Sequence, residues 1–271
     1  MKFPIKYKLA SIALLILVPL LVFALYHSHE MIEHGKNDIK AGNIALAARI
    51  ANELDNLIDT SFATLRSLAK HPAVISKDTR ASDRLFKELL PSYPDFLSIL
   101  AADMSGYNYG SGVYAPGVHK LNYNDKEWFV NARKGMNVVG NLHVSKLFKT
   151  STIMIAQPVI GSGNRQVGVI GMPLNLAKVR ERIMKSLPRL DGASITIADS
   201  KNNIIVCTAL EQSGGPCETV SPQALPSHEG INGSMEGKGP DGIERLYSYA
   251  GLSRAGWRVI IGVPHKVAYQ P

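Results

Sequence analysis

"IKAGNIALAARIANELDNLIDTSFATLRSLAKHP" spans residues 39–72 and decides how the rest of the chain can be arranged. Its larger apolar residues, Ile39, Leu46, Ile50, Leu54, Leu57, Phe62, Leu65 and Leu68, recur in steps of mostly three, four and seven, the mark of one face of an α-helix. "KHPAV" ends it, because the residue before Pro72 is pushed out of helical geometry. The pattern reaches back to His27, giving a stalk helix over 27–70 that at about 1.5 Å per residue projects some 60 Å. One small domain cannot bury so long a stripe. The rod carries a sheet along its far half, pairs with a second copy through its exposed stripe near Ile39–Ile50, or both.

Upstream lies "LASIALLILVPLLVFALY", Leu9–Tyr26, which is uncharged and preceded by Lys2, Lys6 and Lys8. A helix needs roughly 20 apolar residues to cross the hydrocarbon core, so this run suffices for a transmembrane anchor. The lysines hold residues 1–8 in the cytoplasm, which places everything after Tyr26 outside it. Pro19 is tolerated inside a membrane helix. A cleavable signal peptide would need a small-residue cleavage site, and "LYHSHE" is bulky and polar instead.

With 45% hydrophobic and 19% charged residues in 271, the chain can build one large or two small packed domains. The net charge of +8 is scattered, with no dense basic block, so nucleic acid is not an expected partner. Cys207 and Cys217 are the only cysteines; in an oxidising compartment they would close a short loop as a disulfide, the alternative being two buried thiols. Zinc lacks further ligands there. His27, His29 and His34 read as a polar collar beside the membrane, since metal binding would require two helix faces to converge. No serine has nucleophile-elbow glycines around it, no calcium-loop spacing occurs, and no cofactor is expected.

Past a second helical piece, Thr79–Leu90, the period changes. "FLSILAADMSGYNYGSGV" (96–113) reads as two strands turning at Asp103–Gly106. Strand patterns follow at 137–145, 150–161 and 166–176, the last two joined by "GSGNR" (161–165), which precedes a strand and is therefore a turn rather than a phosphate loop. Helical periodicity returns at 176–187. A second set of strands then runs through 193–209, 244–253 and 257–265. The fold class is α+β: an anchor helix continuing into a long helix that carries two tandem antiparallel units.

"NDKEWFVNARKG" (124–135) sits between the first sets of strands. Asn124 with Glu127 forms a capping-box pattern that starts a helix at Asp125, and Gly135 ends it. Trp128 and Phe129 diverge by about 100°, so one enters the core and the other covers something else. Lys126, Trp128 and Asn131 around one concavity suit a small anionic or zwitterionic ligand; the plainer alternative is a lid helix with Lys126 in solvent.

In order, "YPDFLSILAADMSG", "NDKEWFVNARKG", "AQPVIGSGNRQVGVIGMPLNL" and the terminal "GWRVIIGVP" resemble the segments of the double Cache (dCache) sensor domains of bacterial transmembrane receptors, over Ile39 to Pro264. The resemblance implies two PAS-like sheets on one long helix: a membrane-distal, ligand-holding lobe at 71–187, a membrane-proximal lobe at 188–265, and residues 266–271 leading to a second span. The family's amino-acid-binding subgroup carries an Arg two before the Trp, an aromatic after it and an acidic residue on a later strand. Those positions hold Lys126, Trp128, Phe129 and Pro173, with Leu121 and Asn131 in place of the subgroup's Tyr and Asp. Lys attracts a carboxylate as a point charge, but an α-ammonium group loses its acidic partner. Tyr109 and Tyr123, from the cluster with Tyr107 and Tyr114, are candidates to line the same cavity. Strand alternation assigns Ile153 and Ile155 to the long helix and Thr152 and Met154 to the pocket, with His143 joining them.

These readings describe the extracytoplasmic small-molecule sensing module of a bacterial inner-membrane receptor of the histidine kinase, diguanylate cyclase or chemoreceptor type. Its ligand is a carboxylate or other small metabolite, it is a homodimer through the long helix, and it is not itself an enzyme. The rivals are an anchored periplasmic hydrolase, which requires a nucleophile–base pair in the cavity, and a ligand-free scaffold, which requires a filled distal sheet. The sequence stops at "VAYQP" without an output domain, which fits an excised portion of a receptor or a stand-alone anchored sensor.

Overall fold

The 64-residue helix α1 (Ile5–Leu68) includes the apolar stripe from Ile39 to Leu68 without a break. The computed structural model describes residues 5–185, 192–207, 232–239 and 242–268, and within α1 the side chains of 15, 17–23 and from 36 onward. The buried face of α1 is made by Ala47, Ile50, Leu54, Ile58, Leu65 and Leu68, a clean 3.6-residue repeat. This corrects the expected stripe: Ile39, Leu46, Leu57 and Phe62 are only partly buried and pack at its margins. Size misled the reading, because Ala47 and Ala51 belong to the core face whereas Leu57 lies one helical step round from Ile58.

The expected span at Leu9–Tyr26 falls partly on side chains outside the described residues. Those described, Leu15, Leu17, Val18, Leu20, Leu21, Val22 and Phe23, are each more than half exposed. Among the described residues no helix is long and apolar enough to cross a membrane.

His71 stops the rod and caps α2 (Pro72–Ile75), its Nδ1 accepting from the Ala73 N–H at 3.2 Å. Helix α3 (Thr79–Leu89) follows, capped by Asp78. The first sheet comprises β1 (Leu100–Asp103), β2 (Asn108–Ser111), β3 (Val138–Val139), β6 (Met154–Ile160) and β7 (Gln166–Pro173), in the order β2-β1-β7-β6-β3. Helix α4 (Glu127–Arg133) packs on β6 and β7. A separate hairpin pairs β4 (His143–Val144) with β5 (Ser151–Thr152). After α5 (Leu176–Lys185), β8 (Ser194–Ala198), β9 (Ile204–Cys207), β10 (Asn232–Lys238), β11 (Glu244–Gly251) and β12 (Arg258–Pro264) form the second sheet, ordered β10-β11-β12-β8-β9, and α6 (His265–Ala268) closes the described chain.

Numbered within each sheet by chain order, the strands read 2-1-5-4-3 in both, the second taken from its β9 edge. All pairings are antiparallel. One core runs along α1 beneath both sheets, with Ile155, Ile170 and Met172 from the first and Ile197, Leu246 and Val259 from the second. Lys40 pairs with Glu236 of β10, and Asp55 accepts from the Ser253 and Arg254 N–H groups between β11 and β12. The second sheet therefore covers the middle of α1 and the first lies toward its C-terminal end. Ala47 and Ile50 are thereby covered within the chain, so the expected exposed stripe near Ile39–Ile50 does not require a second copy as its cover.

Candidate functional site

The first sheet has two buried faces. One packs on α1; the other packs on α4 through Leu100, Ala102, Met154, Ala156 and Val169, which meet Trp128, Phe129 and Ala132. Trp128 and Phe129 are 3% and 0% exposed, with ring centroids 5.8 Å apart, edge to face. Both rings are buried, yet they part as expected: Phe129 enters the core and Trp128 covers a neighbouring cavity. The sheet takes Phe129 from below, while Tyr123, its ring 5.3 Å from the indole, closes over Trp128 from the side. The expected capping box is absent: α4 begins at Glu127 with Lys126 as its uncapped N-cap. Asn124 Nδ2 instead donates to the Ser105 carbonyl, tying this loop to the β1–β2 turn. That turn is held by the Asp103 carboxylate, which accepts from the Ser105 and Tyr107 N–H groups.

A cavity opens beside Trp128 on this face, between the sheet, the N-terminus of α4 and the β4–β5 hairpin. It gathers Lys126, Trp128, Tyr123, His143, Met154 and Pro173 of the residues singled out from sequence. The cavity volume is about 20 Å³, room for about one water molecule before any wall moves. Three expected residues lie elsewhere. Phe129 sits in the core beneath, with the Arg133 guanidinium 5.6 Å from its ring centroid. Tyr109 faces α2, its hydroxyl donating to the Val74 carbonyl at 2.8 Å, and burial pushes its pKa up. Asn131 lies on α4 away from the cavity wall.

Sequence reading missed Asn108 and Lys146. Lys146, on the hairpin loop, reaches across to the Asn122 carbonyl and Asp125 Oδ1, both at 2.5 Å. This ammonium holds the exposed Asp125 carboxyl below the usual range. Lys126 differs, making no ion pair among the described residues. His143 donates from Nδ1 to the Asn141 carbonyl at 3.0 Å, since a carbonyl can only accept. Burial, opposed by that bond and reinforced by Lys126, holds its pKa below the ordinary imidazole value, so the ring is neutral. The Ser98, Ser111 and Thr152 hydroxyls donate to backbone carbonyls rather than to a base.

The same helix N-terminus reaches the second sheet. Glu127 accepts from Lys201 Nζ at 2.8 Å and Asn141 Nδ2 at 3.4 Å, which hold its carboxyl below the usual range. Asp199, which organises the β8–β9 turn by accepting from the Lys201 and Asn203 N–H groups, also accepts from the Leu142 N–H. Cys207 is buried at the end of β9; Cys217 lies outside the described residues, as do the side chains of His27, His29 and His34. Among the described residues no cluster of possible metal ligands occurs.

The Cache domain family model, of the dCache type, matches residues 35–271. No curated protein sequence matches the chain. Among solved structures, the ligand-binding domain of the Campylobacter jejuni chemoreceptor Tlp3 in complex with 4-methylisoleucine superposes with a TM-score of 0.68 at 14% identity, covering 88% of this chain and 95% of that one. The sensor domain of the V. cholerae histidine kinase DctB gives 0.66 at 12% identity over 84% and 98%. The ligand-binding domain of Mlp24 with asparagine gives 0.59 at 19% identity over 87% and 97%.

Proposed function

The chain belongs to the dCache family of Cache domains, and from that premise we propose that it is the extracytoplasmic small-molecule sensing module of a bacterial membrane receptor. Its first sheet is the membrane-distal PAS-like lobe and its second the proximal one. The observation that carries the reading is the uncommitted Lys126 ammonium on the wall of a cavity lined by Trp128 and Tyr123, facing the site where a small anion would sit. The exposed apolar residues Leu15, Leu17, Val18 and Leu20–Phe23, behind Lys2, Lys6 and Lys8, support an anchor in the inner membrane with the sheets on its outer side. An α-amino acid of the kind bound by Tlp3 and Mlp24 is less suited here, because Pro173 stands where the ammonium group would need an acid.

An enzyme would need a hydroxyl or thiol poised against a base. On this wall the Ser98, Ser111 and Thr152 protons go to carbonyls, Ser145 Oγ accepts from the Phe148 N–H, and His143 spends its Nδ1 proton on Asn141, which supports binding without turnover. Sensing requires that the ligand favour one of two arrangements of the lobe, and the contact of Glu127 with Lys201, beside that of Asn141 with Ser200, joins the ligand-facing helix and its neighbouring loop to the β8–β9 turn of the second sheet. The test is a thermal-shift screen of the full chain against small carboxylates, run beside Lys126→Ala. Stabilisation is expected in the parent, growing with ligand concentration, and is lost in the variant. Equal stabilisation of both would remove Lys126 from the site.

A further inference from the structure

We infer that the ligand is a small hydroxycarboxylate, a compact anion bearing a neutral hydrogen-bond donor in place of an ammonium group. The inference rests on the anion-binding reading of the cavity and adds what its remaining polar wall demands. The β1–β2 ladder pairs Leu100 with Ser111 and Ala101 with Gly110, then skips to Ala102 with Asn108. Tyr109 is the extra residue of this bulge, which turns Asn108 and Ser111 onto the same, cavity-lining face. Asn108 is 3% exposed. Its Nδ2 donates to the Tyr123 hydroxyl at 3.2 Å, and its Oδ1 is buried with no partner among the described residues. An orphaned buried acceptor is costly unless something donates to it, and on a cavity wall that donor is the ligand.

The second acceptor is the neutral His143 ring, whose Nδ1 already serves Asn141 and whose Nε2 carries a lone pair. Against these two acceptors the wall offers no carboxylate: Asp125 lies outside the lining and is taken by Lys146. An ammonium group would meet Lys126 and Lys146 without an opposing charge, whereas a hydroxyl supplies the donor and adds no charge. As it stands the cavity holds about one water molecule, so such a guest requires the Ser145–Phe148 loop, which supplies one wall, to give way.

Isothermal titration of the full chain with propionate, alanine, lactate and 3-hydroxypropionate isolates the substituent at constant chain length. One hydroxy acid should bind roughly tenfold more tightly than both propionate and alanine, the worth of one good buried hydrogen bond. Asn108→Leu should bring that advantage to about twofold or less. The ligand comparison on the parent chain stands even where that variant does not fold. Alanine or propionate binding as tightly as the hydroxy acids overturns the hydroxyl inference, yet leaves the anion site intact where their binding disappears in Lys126→Ala. Failure of all four to bind overturns the inference and the anion site together.

Discussion

His143 shows how the cavity's surroundings set the state of a single side chain. Burial is the largest influence on it, and Lys126 acts in the same direction, so its folded pKa lies below the ordinary 6.5. Above that value the ring is neutral in both folded and unfolded chains and contributes nothing to the pH dependence. Below it the unfolded chain takes up a proton that the folded chain refuses, so stability falls with pH until the folded pKa is passed. His143→Gln should therefore show a shallower loss of melting temperature between about pH 7 and pH 5 than the parent, with matching slopes above pH 7. Parallel profiles throughout would mean that the ring protonates freely in the folded protein. Residue types announced part of this wall: a Trp preceded by a Lys, a nearby Tyr, and a strand alternating Thr152 and Met154 with two isoleucines. Asn108 was not legible, because a bulge arises only when two strands are paired, and simple alternation would give Asn108 and Ser111 opposite faces. Nor was Lys146, whose partners Asn122 and Asp125 come from a segment over twenty residues away.

Among the elements, those with a strong period were readable and those made by context were not. Helix α3 and strands β6, β7 and β12 carry dense apolar patterns and fall where the sequence places them. Strand β10, "NGSMEGK", was missed; it is an edge strand with no fully buried residue, so no hydrophobic alternation marks it. The long helix was readable as a helix, and Ile50, Leu54, Leu65 and Leu68 of its expected stripe lie on the core face, but Ala47 and Ala51 were not legible there because small residues occupy positions where the sheets approach closely. Close approach also governs β7. A Cβ on Gly168 would lie 2.6 Å from the Ala102 carbonyl oxygen, a backbone atom of the neighbouring strand that cannot step aside alone. Gly168→Ala should cost about 1–3 kcal/mol of unfolding free energy in a denaturant titration. A change within a few tenths would show that the β1–β7 ladder slides easily. The Glu127–Lys201 contact is a different sort of join: both side chains are more than half exposed, so its value lies in position more than in stability.

For the whole molecule, the repeated 2-1-5-4-3 strand order puts two sheets on one rod, and α1 is the element common to both. Tandem units on a long helix were visible in the alternation of periods. The identity of their topologies was not, since it depends on which distant strands pair. The same rod carries the proposals about membrane side and dimerisation, and Gly42 offers a handle on both. A glycine inside a helix costs about 1 kcal/mol relative to Ala. Nothing among the described residues exploits its missing side chain, for a Cβ there would meet none of their atoms within 4 Å. With exposed Ala41 and Ala45 beside it, this face would let a second helix approach closely. Gly42→Cys should therefore react with a membrane-impermeant maleimide in intact spheroplasts, and mild oxidant should convert the chain to a covalent dimer. The parent chain should do neither, on the proposal that Cys207 and Cys217 are joined to each other. Labelling only after lysis would put the sheets on the cytoplasmic side and end the sensor reading. Efficient external labelling without cross-linking would instead preserve that reading and move the dimer contact off this face of α1.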